Sequence, residues 1–167
     1  HALAWKLAAS DRVHLVYVAP GNGGTAMDRR MRNVPVTDLP ALADFAQAEG
    51  IGLTVVGPEA PLAAGAVDLF RSRGLRVFGP TQAAARLESS KDFAKAFMQR
   101  HGIPTARYRS FTDAAEAHAY VDGESAPIVV KADGLAAGTG VVVALSLAEA
   151  HAAVAFMLVD NTLGVVH

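Results

Sequence analysis

Short apolar runs alternate with longer stretches in which apolar residues recur at helical spacing. Val13-His14-Leu15-Val16-Tyr17-Val18, Leu53-Thr54-Val55-Val56 and Leu75-Arg76-Val77-Phe78 read as strands. Pro20-Gly21-Asn22-Gly23-Gly24, Gly57-Pro58 and Gly79-Pro80 end them. Between them, Ala2 to Ala9 reads as a helix that has already begun. A second helix runs from Asp38, a candidate cap, to about Glu49. It has Leu39, Leu42, Phe45 and Ala46 on one face and Gly50 as its stop. A third runs from Leu62 to Arg73 and stops at Gly74. The strands are largely apolar on both faces, as parallel strands covered by helices on both sides are. Residues 1–80 are therefore expected to form most of a doubly wound α/β domain.

The alternation then stops. Thr81 to Leu87 and Ser90 to Arg100 read as successive helices with no strand between them, so residues 81–106 are assigned to linker helices. A new alternation follows Gly102-Ile103-Pro104. It predicts a strand over Tyr108-Arg109-Ser110-Phe111, a helix from Asp113 to Val121 and a strand over Ile128-Val129-Val130-Lys131. A glycine loop, a strand over Val141-Val142-Val143-Ala144 and a helix from Leu147 to Leu158 complete it. Residues 107–167 are expected to form a small α+β unit.

Composition narrows the class. Hydrophobic residues make up 51% of the 167 and charged residues 19%, enough to bury a core. The net charge is −1 and Lys and Arg form no long run, which argues against nucleic-acid or anionic-membrane binding by charge alone. The chain has no cysteine, so disulfides, thiolate zinc sites and Cys nucleophiles are excluded. No apolar stretch suits a bilayer span and no leader pattern is present, so a cytoplasmic location is expected. The six histidines are scattered without paired metal-ligand spacing. The chain opens on His1, inside a helical pattern, rather than on Met; an upstream part is expected to be missing.

Lys131-Ala132-Asp133-Gly134-Leu135-Ala136-Ala137-Gly138-Thr139-Gly140 is the strongest local feature. It lies between two apolar strands, where a hairpin tip is expected. A P-loop would need Gly-Lys-Ser/Thr and a following helix, and has neither here. A glycine hairpin can bring backbone N–H groups close to a polyphosphate and close over it. The glycines alone also fit an ordinary turn, and Lys131 alone fits an edge-strand gatekeeper. Together they suit phosphates.

Ser89 or Ser90 can cap the next candidate, the helix that Lys91 opens. A cation in the first turn opposes the helix dipole, unless it shares an anion with the helix N-terminus. Gly57-Pro58-Glu59-Ala60-Pro61 follows a core strand, at the edge where α/β folds bind ligands. Gly79-Pro80-Thr81 repeats that layout, although Thr81 also fits a plain N-cap. A dinucleotide site is disfavoured, because the strand from Val13 ends in Ala19-Pro20 rather than an acid. No nucleophile–base pair has diagnostic spacing.

In this order, the segments resemble the phosphoribosylamine–glycine ligase family. Its Arg-Glu-His-Ala-Leu-Ala-Trp-Lys matches His1-Ala2-Leu3-Ala4-Trp5-Lys6. The resemblance continues through Ala19-Pro20-Gly21-Asn22, Val55-Val56-Gly57-Pro58-Glu59-Ala60-Pro61-Leu62 and Phe78-Gly79-Pro80-Thr81. Leu87-Glu88-Ser89-Ser90-Lys91 and Val130-Lys131 through Gly138 complete it. It implies an ATP-grasp ligase that joins glycine to 5-phosphoribosylamine through a glycyl phosphate, giving glycinamide ribonucleotide, ADP and phosphate. It further implies ATP contacts at Lys91, Lys131, Asp133, Gly134, Gly138 and Gly140. Gly57, Pro58, Glu59 and Thr81 would line the phosphoribosylamine side. Mg²⁺ or Mn²⁺ is implied, with ligands beyond the C-terminal end of this chain. A monomer is expected rather than an obligate oligomer.

The chain departs from the family at four places. The first strand and its Gly-rich loop are absent, which should leave a gap between Val13–Val18 and Leu53–Val56. Thr139 stands where the family has Lys. The segment 33–38 is slightly shorter. The chain ends at His167, before the second ATP-grasp half, so residues 107–167 would be an incomplete lid subdomain and the chain alone is expected to be inactive. The alternatives are a sister purine-pathway ATP-grasp enzyme and a non-catalytic nucleotide-binding module.

Overall fold

The structure, a computed structural model, describes residues 1–135 and 140–160. The chain divides into two compact units, His1–Ala84 and Ala85–His167.

In the first unit, strands and helices alternate. They are α1 (Ala2–Ala8), β1 (Val16–Val18), α2 (Gly23–Ala26), β2 (Met31–Asn33), α3 (Leu39–Ala48), β3 (Thr54–Val55), α4 (Glu59–Ala63), α5 (Ala66–Ser72) and β4 (Val77–Phe78). β1 pairs with β2 in parallel, Val16 opposite Met31, and β3 with β4 in parallel, Thr54 opposite Val77. The parallel α/β reading therefore holds. No ladder joins the two pairs among the described residues, and the break falls at the expected gap between β1 and β3.

Three local expectations change. β2 lies outside the predicted strands, because Met31-Arg32-Asn33 has one apolar residue and no period. Met31 is buried against Ala4 and Ala8, with Val16 and Val18 beside it, so tertiary burial makes this strand. The break predicted after Val18 contains α2. The helix expected over Leu62–Arg73 is two helices, and the first starts at Glu59. Gly65, at φ 86°, takes the left-handed conformation between them. Gln82 donates its side-chain N–H to the Ala63 carbonyl at 2.9 Å, satisfying an acceptor left free where α4 stops.

Asp38 caps α3 as expected, accepting from Ala41 N–H at 2.9 Å. The apolar face of α3 meets α5 through Ala43, Ala46 and Phe70, bordered by Leu42, Ile51, Leu75 and Val77. Burying the Phe70 ring contributes about 2–3 kcal/mol.

The second unit takes most of α6 (Gln82–Ser89), then α7 (Lys91–Arg100), α8 (Ala114–Asp122), β5 (Ile128–Lys131), β6 (Val141–Ala144) and α9 (Leu147–Val154). A π-type turn over Ala155–Val159 continues α9. β5 and β6 form the expected antiparallel hairpin, Ile128 opposite Ala144 and Lys131 opposite Val141. Ala117 and Val121 of α8 and Ala150 and Val154 of α9 close on Ala144, with Ile128 and Val130 beside them. Helices thus cover one face of the hairpin, the α+β arrangement.

The strand expected over Tyr108–Phe111 does not form. No ladder partner lies beside it among the described residues, and side chains hold it instead. Phe111 packs on the Tyr120 ring, Ser110 donates to Asp92, and Lys95 donates to Thr105 Oγ1 at 2.7 Å and the Ala106 carbonyl at 3.0 Å.

Candidate nucleotide site

Ser90 begins α7 as its N-cap and accepts from Phe93 N–H at 3.1 Å. The N–H groups of Lys91 and Asp92 have no partner within the helix. Asp133 supplies one. Its Oδ1 accepts from Lys91 N–H at 2.5 Å and from Asp92 N–H at 3.3 Å, and its Oδ2 accepts from Ser90 Oγ at 3.0 Å. The anion expected at this helix N-terminus is therefore the chain's own carboxylate. Lys91 Nζ donates to the Gly134 carbonyl at 2.8 Å. Partial burial pushes the Asp133 carboxyl up. Hydrogen bonds from Ser90 and from the Gly134, Asp92 and Lys91 N–H groups outweigh it and hold the group below the ordinary carboxylate range.

The hairpin sets the other half of the site. Alternation along β5 turns Ile128 and Val130 to the helices and leaves Val129 and Lys131 exposed. Val141 and Val143 of β6 lie opposite Lys131 and Val129 and are exposed too. One face thus carries a valine floor with a lysine at the loop end. Ala132 N–H donates to the Gly140 carbonyl at 2.8 Å and closes the loop's base, where Gly140 is buried. Gly138 and Thr139 lie outside the described residues.

Gly57, Pro58, Glu59 and Thr81 all belong to the first unit. Gly57 and Pro58 follow β3, with Pro58 as the N-cap of α4 and exposed Glu59 in its first turn. A Cβ on Gly57 would come within 2.8 Å of Leu3 Cδ1, so glycine permits a close approach there. Thr81 Oγ1 accepts from Ala84 N–H at 3.3 Å and so does act as a helix cap. No described bond occupies the Glu59 carboxylate.

Sequence reasoning missed a polar knot at the ends of β1 and β2. Thr25 is fully buried; its Oγ1 accepts from Asn22 N–H at 2.8 Å and donates to Asn33 Oδ1 at 2.7 Å. Asn33 Nδ2 returns to the Asn22 carbonyl at 3.0 Å. A capping side chain with a hydroxyl three residues on was the available signal. It also missed Asp133 as the partner of α7, because the two are far apart in sequence. An open hollow of about 570 Å³ beside His1, Met27, Arg29 and Arg30 contains none of the predicted residues. Among the described residues no three His, Asp or Glu side chains gather as a metal site.

The second half of the chain, residues 89–167, matches the family described as phosphoribosylglycinamide synthetase, ATP-grasp (A) domain, which places it in the ATP-grasp class. Residues 1–88 match the N domain of the same synthetase. The chain belongs to the phosphoribosylglycinamide synthetase family.

Relatives agree. A phosphoribosylamine–glycine ligase of Ralstonia nicotianae is 74% identical over 98% of this chain and 39% of that protein. The ligase of Escherichia coli K12 is 60% identical over the same shares. The chain thus spans about two fifths of the length of these curated relatives. Among solved structures, the phosphoribosylamine–glycine ligase of Thermotoga maritima matches with TM-score 0.69 and 32% identity, over 89% of this chain and 34% of that one. The biotin carboxylase domain of a Hydrogenobacter thermophilus 2-oxoglutarate carboxylase, solved with magnesium ADP and bicarbonate, matches with TM-score 0.64 over 84% of this chain and 33% of that one. At 20% identity, that second likeness speaks for the fold alone.

Proposed function

We propose that this chain is the nucleotide- and substrate-holding front of an ATP-dependent ligase that joins glycine to 5-phosphoribosylamine. The observation that carries this is the β5–β6 face, where Val129, Val141 and Val143 form an apolar floor ending at Lys131 and the glycine loop. An adenine ring suits the floor, and its phosphates suit the lysine and the loop N–H groups. The family match over the whole chain supports this reaction. The glycine carboxylate takes the terminal phosphoryl group and ADP leaves. The amine of phosphoribosylamine then attacks the acyl carbon, losing a proton as phosphate departs.

In that reaction, Lys131 and Lys91 neutralise phosphate charge, and Gly134, Gly138 and Gly140 give the backbone room to approach it. Closure of the loop would exclude water from the labile acyl phosphate. Gly57, Pro58, Glu59 and Thr81 line the phosphoribosylamine side, Glu59 accepting from its hydroxyl or amine groups. The divalent cation that accompanies ATP, Mg²⁺ or Mn²⁺, takes its ligands from the part of the relatives that this chain does not cover. Residues 1–80, 81–106 and 107–167 act as substrate domain, linker helices and lid. No described helix is long and apolar enough to cross a membrane; the proposed setting is a cytoplasmic monomer.

The test is ADP release by the protein that carries this chain. Release that needs both glycine and phosphoribosylamine supports the reading. Release driven by formate or bicarbonate instead overturns it in favour of a sister enzyme, and nucleotide binding without turnover in favour of a binding module.

A further inference from the structure

We propose that Asp133 is a positioning residue that fastens the start of the glycine loop to the N-terminus of α7 and so sets Lys91 for its ligand. The bonds account for every free donor in the first turn of α7. Asp133 takes the N–H groups of Lys91 and Asp92, and Ser90 takes that of Phe93. A second tie runs the other way, from Lys91 Nζ to the carbonyl of Gly134, the very next residue. A negative group on the helix's positive end and a cation on a loop carbonyl make a two-point fastening between segments over forty positions apart.

The fastening has a chemical consequence. A lysine in the first helical turn is repelled by the helix dipole, and the carboxylate beside it cancels that repulsion. An ammonium carries three donors, and the Gly134 carbonyl uses one of them. The other two remain to take phosphate oxygens while the first still holds the loop. The lysine thus ties a bound anion to the loop's position. Asp133 itself contacts no ligand in this arrangement, because both of its oxygens face α7. This departs from its assignment as an ATP contact by resemblance. Its lowered carboxyl pKa agrees with a role as a permanent anion.

The inference rests on the nucleotide reading for its effect on ligand, but not for the fastening. The experiment therefore measures both, on the protein that carries this chain. Amide hydrogen exchange at Lys91 and Asp92 reads the fastening directly; KM for ATP and for glycine, with kcat, reads the consequence. Asp133→Ala is expected to speed exchange at those two amides roughly tenfold and to raise KM for ATP roughly tenfold. KM for glycine should stay within about twofold, a split that a general loss of structure would not give. Asp133→Asn keeps the shape and one acceptor, and should recover part of both effects. Ser90→Ala removes the Ser90 Oγ bonds to Asp133 and Phe93 but leaves Asp133 on the Lys91 and Asp92 N–H groups, and should show the smaller change at those two amides if Asp133→Ala fails to fold. Unchanged exchange at Lys91 and Asp92 in the Asp133 variants overturns the fastening. Faster exchange with an unchanged KM for ATP overturns the positioning role alone. A parent protein that binds no ADP or ATP sinks the proposed function, while the exchange result still decides the fastening.

Discussion

Thr25 is fully buried yet polar, and its hydroxyl holds both Asn22 and Asn33. Thr25→Val keeps the shape and strands those two partners, so we expect a loss of about 2 kcal/mol in urea unfolding. Asp133 gives a pH signature at the same scale. Its folded pKa lies below the ordinary value of about 3.9. The stability it contributes is therefore fully present above about pH 4, and is lost as the pH falls through its lower folded value. The gap in unfolding midpoint between the parent and Asp133→Asn should be constant from pH 7 to about pH 5 and should shrink near pH 3. A constant gap down to pH 3 would assign the stability to shape rather than charge. Only the Asn22–Thr25 half of the first role was legible locally, as a capping pattern. Lys91 announced that an anion was needed, but its sequence neighbours did not say which one.

Among the elements, the break between α4 and α5 depends on Gly65. An added Cβ would meet only the Gln82 side chain, at 3.5 Å, so the cost of Gly65→Ala is a backbone cost at φ 86°. We expect about 1 kcal/mol, seen as a lower melting temperature. The β5–β6 hairpin makes a different prediction. Val143 is 60% exposed on the floor beside Lys131, so Val143→Ser should change stability by only about 0.5 kcal/mol. If the floor receives adenine, the same change should weaken ADP binding by several-fold in calorimetry. Element types were legible where periodicity was strong: α3, α7, α8 and the hairpin were all expected. β2 was not, because a strand held by one buried methionine has no period to read. The strand predicted at Tyr108–Phe111 had the right residues, but no ladder partner among the described residues.

For the molecule as a whole, the two units carry separate parts of the proposed chemistry. Lys91 and Lys131, the lysines proposed to take phosphate, lie in the second, and Gly57, Pro58, Glu59 and Thr81 lie in the first. Lys131→Ala in the protein that carries this chain should cut kcat/KM for ATP by about ten- to a hundredfold, with KM for glycine unchanged. Equal loss toward both substrates would point to misfolding rather than to lost phosphate contact.

The sequence by itself determined the parallel α/β character, the hairpin and the family. Apolar runs, glycine stops and ordered motifs act through neighbours along the chain, so they can be read there. Only the tertiary structure decided that Asp133 serves as the anion of α7, that Met31 makes a strand and that Thr25 also holds Asn33. Each depends on groups brought together across a turn or a whole unit, and no local pattern records which partner a buried or unsatisfied group will find.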